Sequence, residues 1–182
     1  MMLEVERKFC LADVAGFRDR AEALGLAFGE PERQVDTYYR HPARDFGATD
    51  EALRIRRGSK GCSLTYKGPK TDASSKTRTE LDIVLDPIDP QGEHFDQLLD
   101  TLGFRELFDV KKTRQTAKLE HEDRSFSVCL DQTDGLGWFV ELETLAAPAD
   151  QEAALAALDS LASQLELADD ERRSYLELLL QE

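Results

Sequence analysis

With 182 residues and 41% hydrophobic content, the chain can build one domain with a real core and is too short for two independent ones. Its formal net charge of −14 argues against a protein that coats nucleic acid, because phosphate backbones favour basic surfaces. There is no apolar run long enough to span a bilayer and no signal-peptide-like apolar region near Met1, so a soluble cytoplasmic protein with no membrane partner is expected.

In chain order, Leu3 to Cys10 reads as a first strand. Asp13 then caps a helix whose apolar positions Val14, Phe17, Ala21 and Leu24 recur at helical spacing, with Gly25 as its stop. A strand around Gln34 to Arg40 leads into a loop, His41 to Gly47, that carries Pro42. Leu53 to Arg57 and Ser63 to Lys67 flank the run G-S-K-G and predict a hairpin. Gly68 to Ser75, rich in Gly, Pro and Ser, predicts a mobile loop. Its Lys70 is placed to fold over a ligand or equally to stand in solvent.

A strand from Thr77 to Leu85 comes next, and Asp89 with Pro90 marks a helix start whose stripe is Phe95, Leu98, Leu99 and Leu102 before Gly103. Three further strands run from Phe108 to Leu119, Ser125 to Asp131 and Trp138 to Leu145. From Ala149 to Leu167 the chain is rich in Ala and Leu, and Asp169 is expected to cap a last helix bearing Tyr175, Leu176, Leu179 and Leu180. This C-terminal helical segment, about 149–181, is expected to cover an apolar outer face of the strands. Trp138 reads as an apolar anchor on that exterior. The order strand, helix, strands occurs twice and suggests two related halves.

Cys10, Cys62 and Cys129 are odd in number and lack metal-like spacing, which points to free thiols. His41, His94 and His121 share no motif and read as loop or surface residues.

Chemistry enters through alternation. Glu4, Glu6 and Lys8 occupy every second position of the first strand, so one face carries two carboxylates and an ammonium. Alone, that face also fits a solvated edge strand. The pattern recurs in Arg54 and Arg56, in Thr65 and Lys67, in Arg78, Glu80 and Asp82, in Lys112 and Arg114, at Asp131, and in Glu141 and Glu143. A closed barrel with a charged, hydrated interior and helices over its apolar face accounts for so many long charged side chains on one side. The expected class is therefore α+β: a closed antiparallel β-barrel of about eight strands, the helices packed outside.

The acidic members suit hard divalent cations and the basic members suit an enclosed polyanion. Other readings stay open. Arg78 with Glu80, or Lys112 with Asp131, also fit internal ion pairs that hold strands in register. Glu80 and Asp82 fit ligands or supporting groups equally, and Asp36, Tyr38 and Tyr39 fit packing or hydrogen bonding at a strand end.

The run E-V-E-R-K, followed in order by V-D-T-Y-Y, A-L-R-I-R-R, L-T-Y-K-G-P-K, K-T-R-T-E-L-D, V-K-K-T-R and L-D-Q-T-D-G-L-G-W-F-V-E-L-E, resembles the CYTH superfamily of triphosphate tunnel metalloenzymes. The connecting segments are most similar to its class IV adenylyl cyclase branch. The resemblance runs from Glu4 to Glu143 and implies a single tunnel domain over 1–182.

It further implies Mg2+ or Mn2+ as cofactor, with Glu4, Glu6, Asp131, Glu141 and Glu143 at the metal. Lys8, Arg54, Arg56, Lys67, Arg78, Lys112 and Arg114 would line the triphosphate path. The implied activity is conversion of ATP to cyclic AMP and pyrophosphate. Hydrolysis of thiamine triphosphate or inorganic triphosphate is the alternative, and a non-catalytic polyphosphate- or nucleotide-binding module a third reading. A homodimer is implied by the resemblance alone.

Overall fold

Residues two apart share a face of a strand, so the charged and apolar alternation sorts side chains to opposite sides wherever strands form. A computed structural model describes residues 3–59, 61–70, 78–85, 87–121 and 124–181. Its strands are β1 (Leu3–Cys10), β2 (Glu32–Arg40), β3 (Ala52–Gly58), β4 (Gly61–Lys70), β5 (Arg78–Val84), β6 (Arg105–His121), β7 (Arg124–Thr133) and β8 (Gly137–Ala146). The helices are α1 (Val14–Ala23), α2 (Phe46–Thr49), α3 (Glu93–Thr101), α4 (Gln151–Gln164) and α5 (Tyr175–Leu179).

The strands close into an antiparallel barrel in the order β1-β5-β4-β3-β2-β6-β7-β8. The expected class is thus the observed one. Closure between β1 and β5 rests on the pairing of Glu4 with Arg78, whereas β1 and β8 pair from Leu3–Ala146 to Cys10–Phe139.

The odd-numbered residues of β1 face outward. Val5 and Phe9 join Val128, Leu130, Val140 and Leu142 under α1 and α4, whose Phe17, Ala21, Leu158 and Leu161 complete one core cluster. Trp138 packs at its border. A second cluster sits under α3, where Leu99 meets Tyr39, Leu53, Ile55 and Leu85. The Asp13 carboxylate accepts from the Gly16 amide at 2.9 Å and caps α1 as expected. Among the described residues no helix is long and apolar enough to cross a membrane.

Four expectations change. β4 continues through Gly68 and Pro69 to Lys70, because a register shift between Lys67 and Lys70 admits them at the strand end. The rest of that expected loop, and Thr77, lie outside the described residues. α3 begins at Glu93 rather than at Asp89; a turn intervenes, although Asp89 still accepts from the Phe95 amide at 3.1 Å. Gly92 precedes α3 at φ +71, and a Cβ there would stand 2.8 Å from Cys62 Sγ, so both backbone and space require glycine.

The last helix is capped by Ser174 with Glu177, in a reciprocal capping box, and not by Asp169. The chain before it bridges Asp170 to Phe9 of β1, which delays the helix. Finally, α4 covers the outer face as expected, but α5 sends Tyr175 into a cluster with Tyr38, Val110 and Phe139, at one end of the barrel.

Leu158 is fully buried between α4 and the barrel. Leu158→Ala is expected to lower unfolding free energy by ~2–5 kcal/mol in a urea titration, without moving any charged residue of the interior.

Candidate active site

The inward residues of β1 are Glu4, Glu6 and Lys8, and burial deepens along them. The Glu4 side chain is 28% exposed, while Glu6 and Lys8 retain 8% and 1% of their surface. β8 runs the same way, from Glu143 at 22% to Glu141 at 9%. Register sets Glu6 opposite Glu143 and Lys8 opposite Glu141.

Two buried aspartates organise the cations. Asp36 of β2 takes a two-point grip from Arg56, with Nε at 2.6 Å from Oδ1 and Nη2 at 2.7 Å from Oδ2, and Arg54 Nη1 adds a third bond at 3.1 Å. Burial alone would raise the Asp36 pKa; Arg54 and Arg56 outweigh it and hold the carboxyl well below the usual range. Asp131 of β7, with no exposed surface, accepts from Arg114 Nε at 2.7 Å, Lys112 Nζ at 3.2 Å and the Tyr175 hydroxyl at 2.9 Å. Arg114 Nη2 also pairs with Glu141, and its Nη1 lies 3.6 Å from Glu143.

On the opposite wall, Lys67 Nζ lies 2.6 Å from Glu80 and 3.8 Å from Glu4. Asp82 accepts from the Thr65 hydroxyl, and Arg78 reaches the Asp50 and Gly68 carbonyls at 3.5 Å. The Lys112–Asp131 pair expected from sequence is therefore present, whereas the described contacts of Arg78 are to backbone oxygens.

These groups surround a cavity of about 400 Å³ lined by Glu4, Glu6, Arg54, Arg56, Lys67, Arg78, Glu80, Asp82, Lys112, Arg114, Glu141 and Glu143, with Tyr38 from β2. Lys8, Asp36 and Asp131 lie in the wall behind it, almost wholly buried. Nothing is described of the Lys70 side chain.

Tyr175 was not anticipated. It lines the cavity with Ser174, Leu176 and Glu177, and its ring sits 4.1 Å from Lys8 Nζ and 5.1 Å from Lys112 Nζ. The Lys8 ammonium also donates to the Arg173 carbonyl. The run S-Y-L-E signals a capped helix start, but local sequence does not say that this helix folds back over the barrel.

The carboxylates at the more exposed end lack full compensation. Burial, with help from Glu143, Glu80 and Glu6, pushes the Glu4 pKa up to about 8 against the pull of Lys67. Burial likewise raises Glu143. Glu6 opposite Glu143 is a like-charge juxtaposition that costs stability unless a proton or cation sits with it. Among the described residues no group of three or more His, Cys, Asp or Glu forms a ready metal cage. A hard divalent cation such as magnesium is usually held by one or two carboxylates together with substrate phosphates and water. Glu4, Glu6 and Glu143 are the residues that fit such an ion.

Asp36→Ala strips the counter-ion from two buried guanidinium groups and is expected to lower stability by ~3–5 kcal/mol in chemical denaturation. Glu4 gives a pH signature. Its folded value stands above the ordinary 4.5, so its protonation favours the folded chain at low pH, and that contribution is lost as pH rises towards about 8. Thermal unfolding of metal-free protein from about pH 5 to about pH 8 is therefore expected to show a falling component that Glu4→Gln removes.

The CYTH domain family model matches residues 2–175. A Methanocaldococcus jannaschii protein named "putative adenylate cyclase" is 35% identical over 180 residues, covering 97% of this chain and 98% of that one. The solved PH1819 protein of Pyrococcus horikoshii has a TM-score of 0.86 at 39% identity, with 98% of each chain covered. PH1012 of the same organism has a TM-score of 0.76 at 26% identity, covering 96% of this chain and 98% of its own. With its barrel, its inward charges and this match along nearly its whole length, the chain belongs to the CYTH domain family.

Proposed function

We propose that the chain is a divalent-metal-dependent adenylyl cyclase that converts ATP to cyclic AMP and pyrophosphate. The observation that carries this reading is the order of charge with depth. Carboxylates stand at the more exposed level, at Glu4 and Glu143, and the cations Lys8 and Lys112 stand at the buried level together with the carboxylates Asp36, Asp131 and Glu141. Tyr175 and the Arg173 carbonyl cover that deeper end. A triphosphate inserted tail first would rest its terminal phosphates among the cations and leave its α-phosphate beside Glu4, Glu6 and Glu143. Reaction at the α-phosphorus is what a cyclase requires. The name of the M. jannaschii relative agrees with this reading.

Arg54, Arg56, Lys67, Arg78, Lys112 and Arg114 would hold the β and γ phosphates, the arginines through planar forks and the lysines as point charges. Asp36 and Asp131 fix the aim of those forks before substrate arrives, so little reorganisation is needed. Glu4, Glu6 and Glu143 would hold Mg2+ or Mn2+, which when bound stabilises the attacking and leaving oxygens. Asp131, whose oxygens already accept from Arg114, Lys112 and Tyr175, acts in this scheme as a positioning group, and Glu141 supports Arg114.

The ribose 3′-oxygen bonds to the α-phosphorus as the bond to the β-bridging oxygen breaks. Pyrophosphate leaves with the bonding electrons, and the hydroxyl proton is released. Positioning in an enclosed channel supplies much of the acceleration, and no protein nucleophile takes part. We assign this chemistry to the cytoplasm, where ATP is abundant and the free thiols Cys10, Cys62 and Cys129 stay reduced.

Purified protein with Mg2+ or Mn2+, offered ATP, thiamine triphosphate and tripolyphosphate separately, is expected to make cyclic AMP and pyrophosphate from ATP. Glu6→Ala is expected to lower that rate by roughly 100-fold or more. Orthophosphate as the sole product would replace the cyclase with a hydrolase, and tight binding without turnover would replace it with a binding module.

A further inference from the structure

At the end of the barrel that α5 covers, Ser174, Tyr175, Leu176 and Glu177 face the cavity. None of the four carries positive charge, and Glu177 is a carboxylate. Behind Tyr175 lies the apolar cluster of Tyr38, Val110 and Phe139, with Leu136 and Leu179 packed against it. A phosphate pushed past this point would leave Lys8 and Lys112 behind and enter an apolar region without a counter-charge.

Tyr175 is not a loose cover. It is 6% exposed, its hydroxyl donates to Asp131 at 2.9 Å, and its ring stands edge-on to Phe139 with centroids 5.1 Å apart. The chain leading to it is tied to β1: the Cys10 amide donates to the Asp169 carbonyl at 2.9 Å, and the Glu171 amide to the Lys8 carbonyl at 2.7 Å. From the other side, the turn between β7 and β8 closes on α5 so tightly that a Cβ at Gly135 would stand 3.3 Å from Leu179 Cδ2.

We infer that Tyr175 is the specificity-determining floor of the channel, ending the polyphosphate path at Lys8 and Lys112 so that chains of three phosphates are admitted and longer ones rejected. The inference rests on the tail-first entry proposed above and not on cyclisation. Glu4 and Lys8 stand four residues apart on β1, on the order of 13 Å along the strand, which fixes the length between mouth and floor. A longer chain gains nothing by standing further out, because its surplus phosphate then meets Glu4 and Glu143. Charge alone would give the reverse order, since each added phosphate strengthens attraction to a basic path. A preference for the shorter, less charged chain is therefore the mark of a floor.

Inorganic polyphosphates test this without an organic group. Wild type, Tyr175→Ala, Tyr175→Leu and Tyr175→Phe are titrated calorimetrically with tripolyphosphate and tetrapolyphosphate in Mg2+-free buffer, so that no turnover intervenes. Wild type is expected to bind tripolyphosphate roughly tenfold more tightly, and Tyr175→Ala to bring the two within about twofold. Tyr175→Leu, shorter but still apolar, is expected to narrow the ratio in the same direction and serves where the alanine variant does not fold. Tyr175→Phe keeps the ring and loses the bond to Asp131, so it is expected to retain the wild-type ratio even where both affinities fall. A wild type that binds tetrapolyphosphate as tightly as tripolyphosphate would overturn the inference whatever the variants do. Parallel losses of both ligands in Tyr175→Ala and Tyr175→Leu would overturn it too, by making Tyr175 a residue that only steadies the fold, as would loss of the ratio in Tyr175→Phe. A wild type that binds neither chain would refute tail-first entry and the floor with it. An absence of cyclic AMP from ATP with the ratio intact would refute the cyclase alone.

Discussion

Asp36 and Asp131 are the buried negative charges on which the basic lining depends. Closing the sheet sends every second side chain of each strand inward, so Arg54, Arg56, Lys112 and Arg114 converge whether or not an anion is present. Ionised groups taken from water must be paired and hydrogen-bonded to be tolerated. Each aspartate contacts two cations. Buried ion pairs of this kind are weak arguments for stability. Their consequence here is geometric, because a two-point grip such as Arg56 on Asp36 fixes the plane of the guanidinium and the direction of its remaining N–H groups.

The carboxylate end is built on the opposite terms. Lys67 is shared between Glu80 and Glu4, and Arg114 between Asp131, Glu141 and Glu143. Burial, with neighbouring carboxylates adding to it, shifts Glu4 and Glu143 upward. A pure anion trap gains nothing from crowding carboxylates beside its cations, since they oppose the ligand it should hold. The arrangement makes sense when a cation and a polyanion occupy the space together.

Period-two alternation made the barrel legible. Charged residues at every second position of Leu3 to Cys10, and again at Arg54, Arg56, Glu141 and Glu143, fixed the inward face because a strand offers only two faces. Strand existence was therefore readable, while strand ends were less so. Gly68 and Pro69 look like loop residues, yet the end of β4 tolerates them through a register shift. Asp89 looks like a helix cap and does accept an amide hydrogen bond, but across a turn rather than within the helix. Cross-strand partners were hidden, because Asp36 and Arg56 meet through the register of β2 with β3 and not through local pattern. Tyr175 was hidden for the same reason, since an apolar stripe announces a buried helix face without naming the surface that buries it.

The exterior adds a condition on capture. With 37 acidic residues against 23 basic ones, the chain as a whole is acidic and repels a bare polyphosphate at long range. At physiological salt that repulsion fades beyond roughly 8 Å, so it slows approach without preventing it. The inner cations act only at contact distance, after the phosphate tail has entered. A polyphosphate that arrives with a divalent ion carries less negative charge and meets less repulsion outside. Under the proposed function, the acidic exterior and the crowded carboxylates favour the same ligand form, a triphosphate that carries a divalent ion.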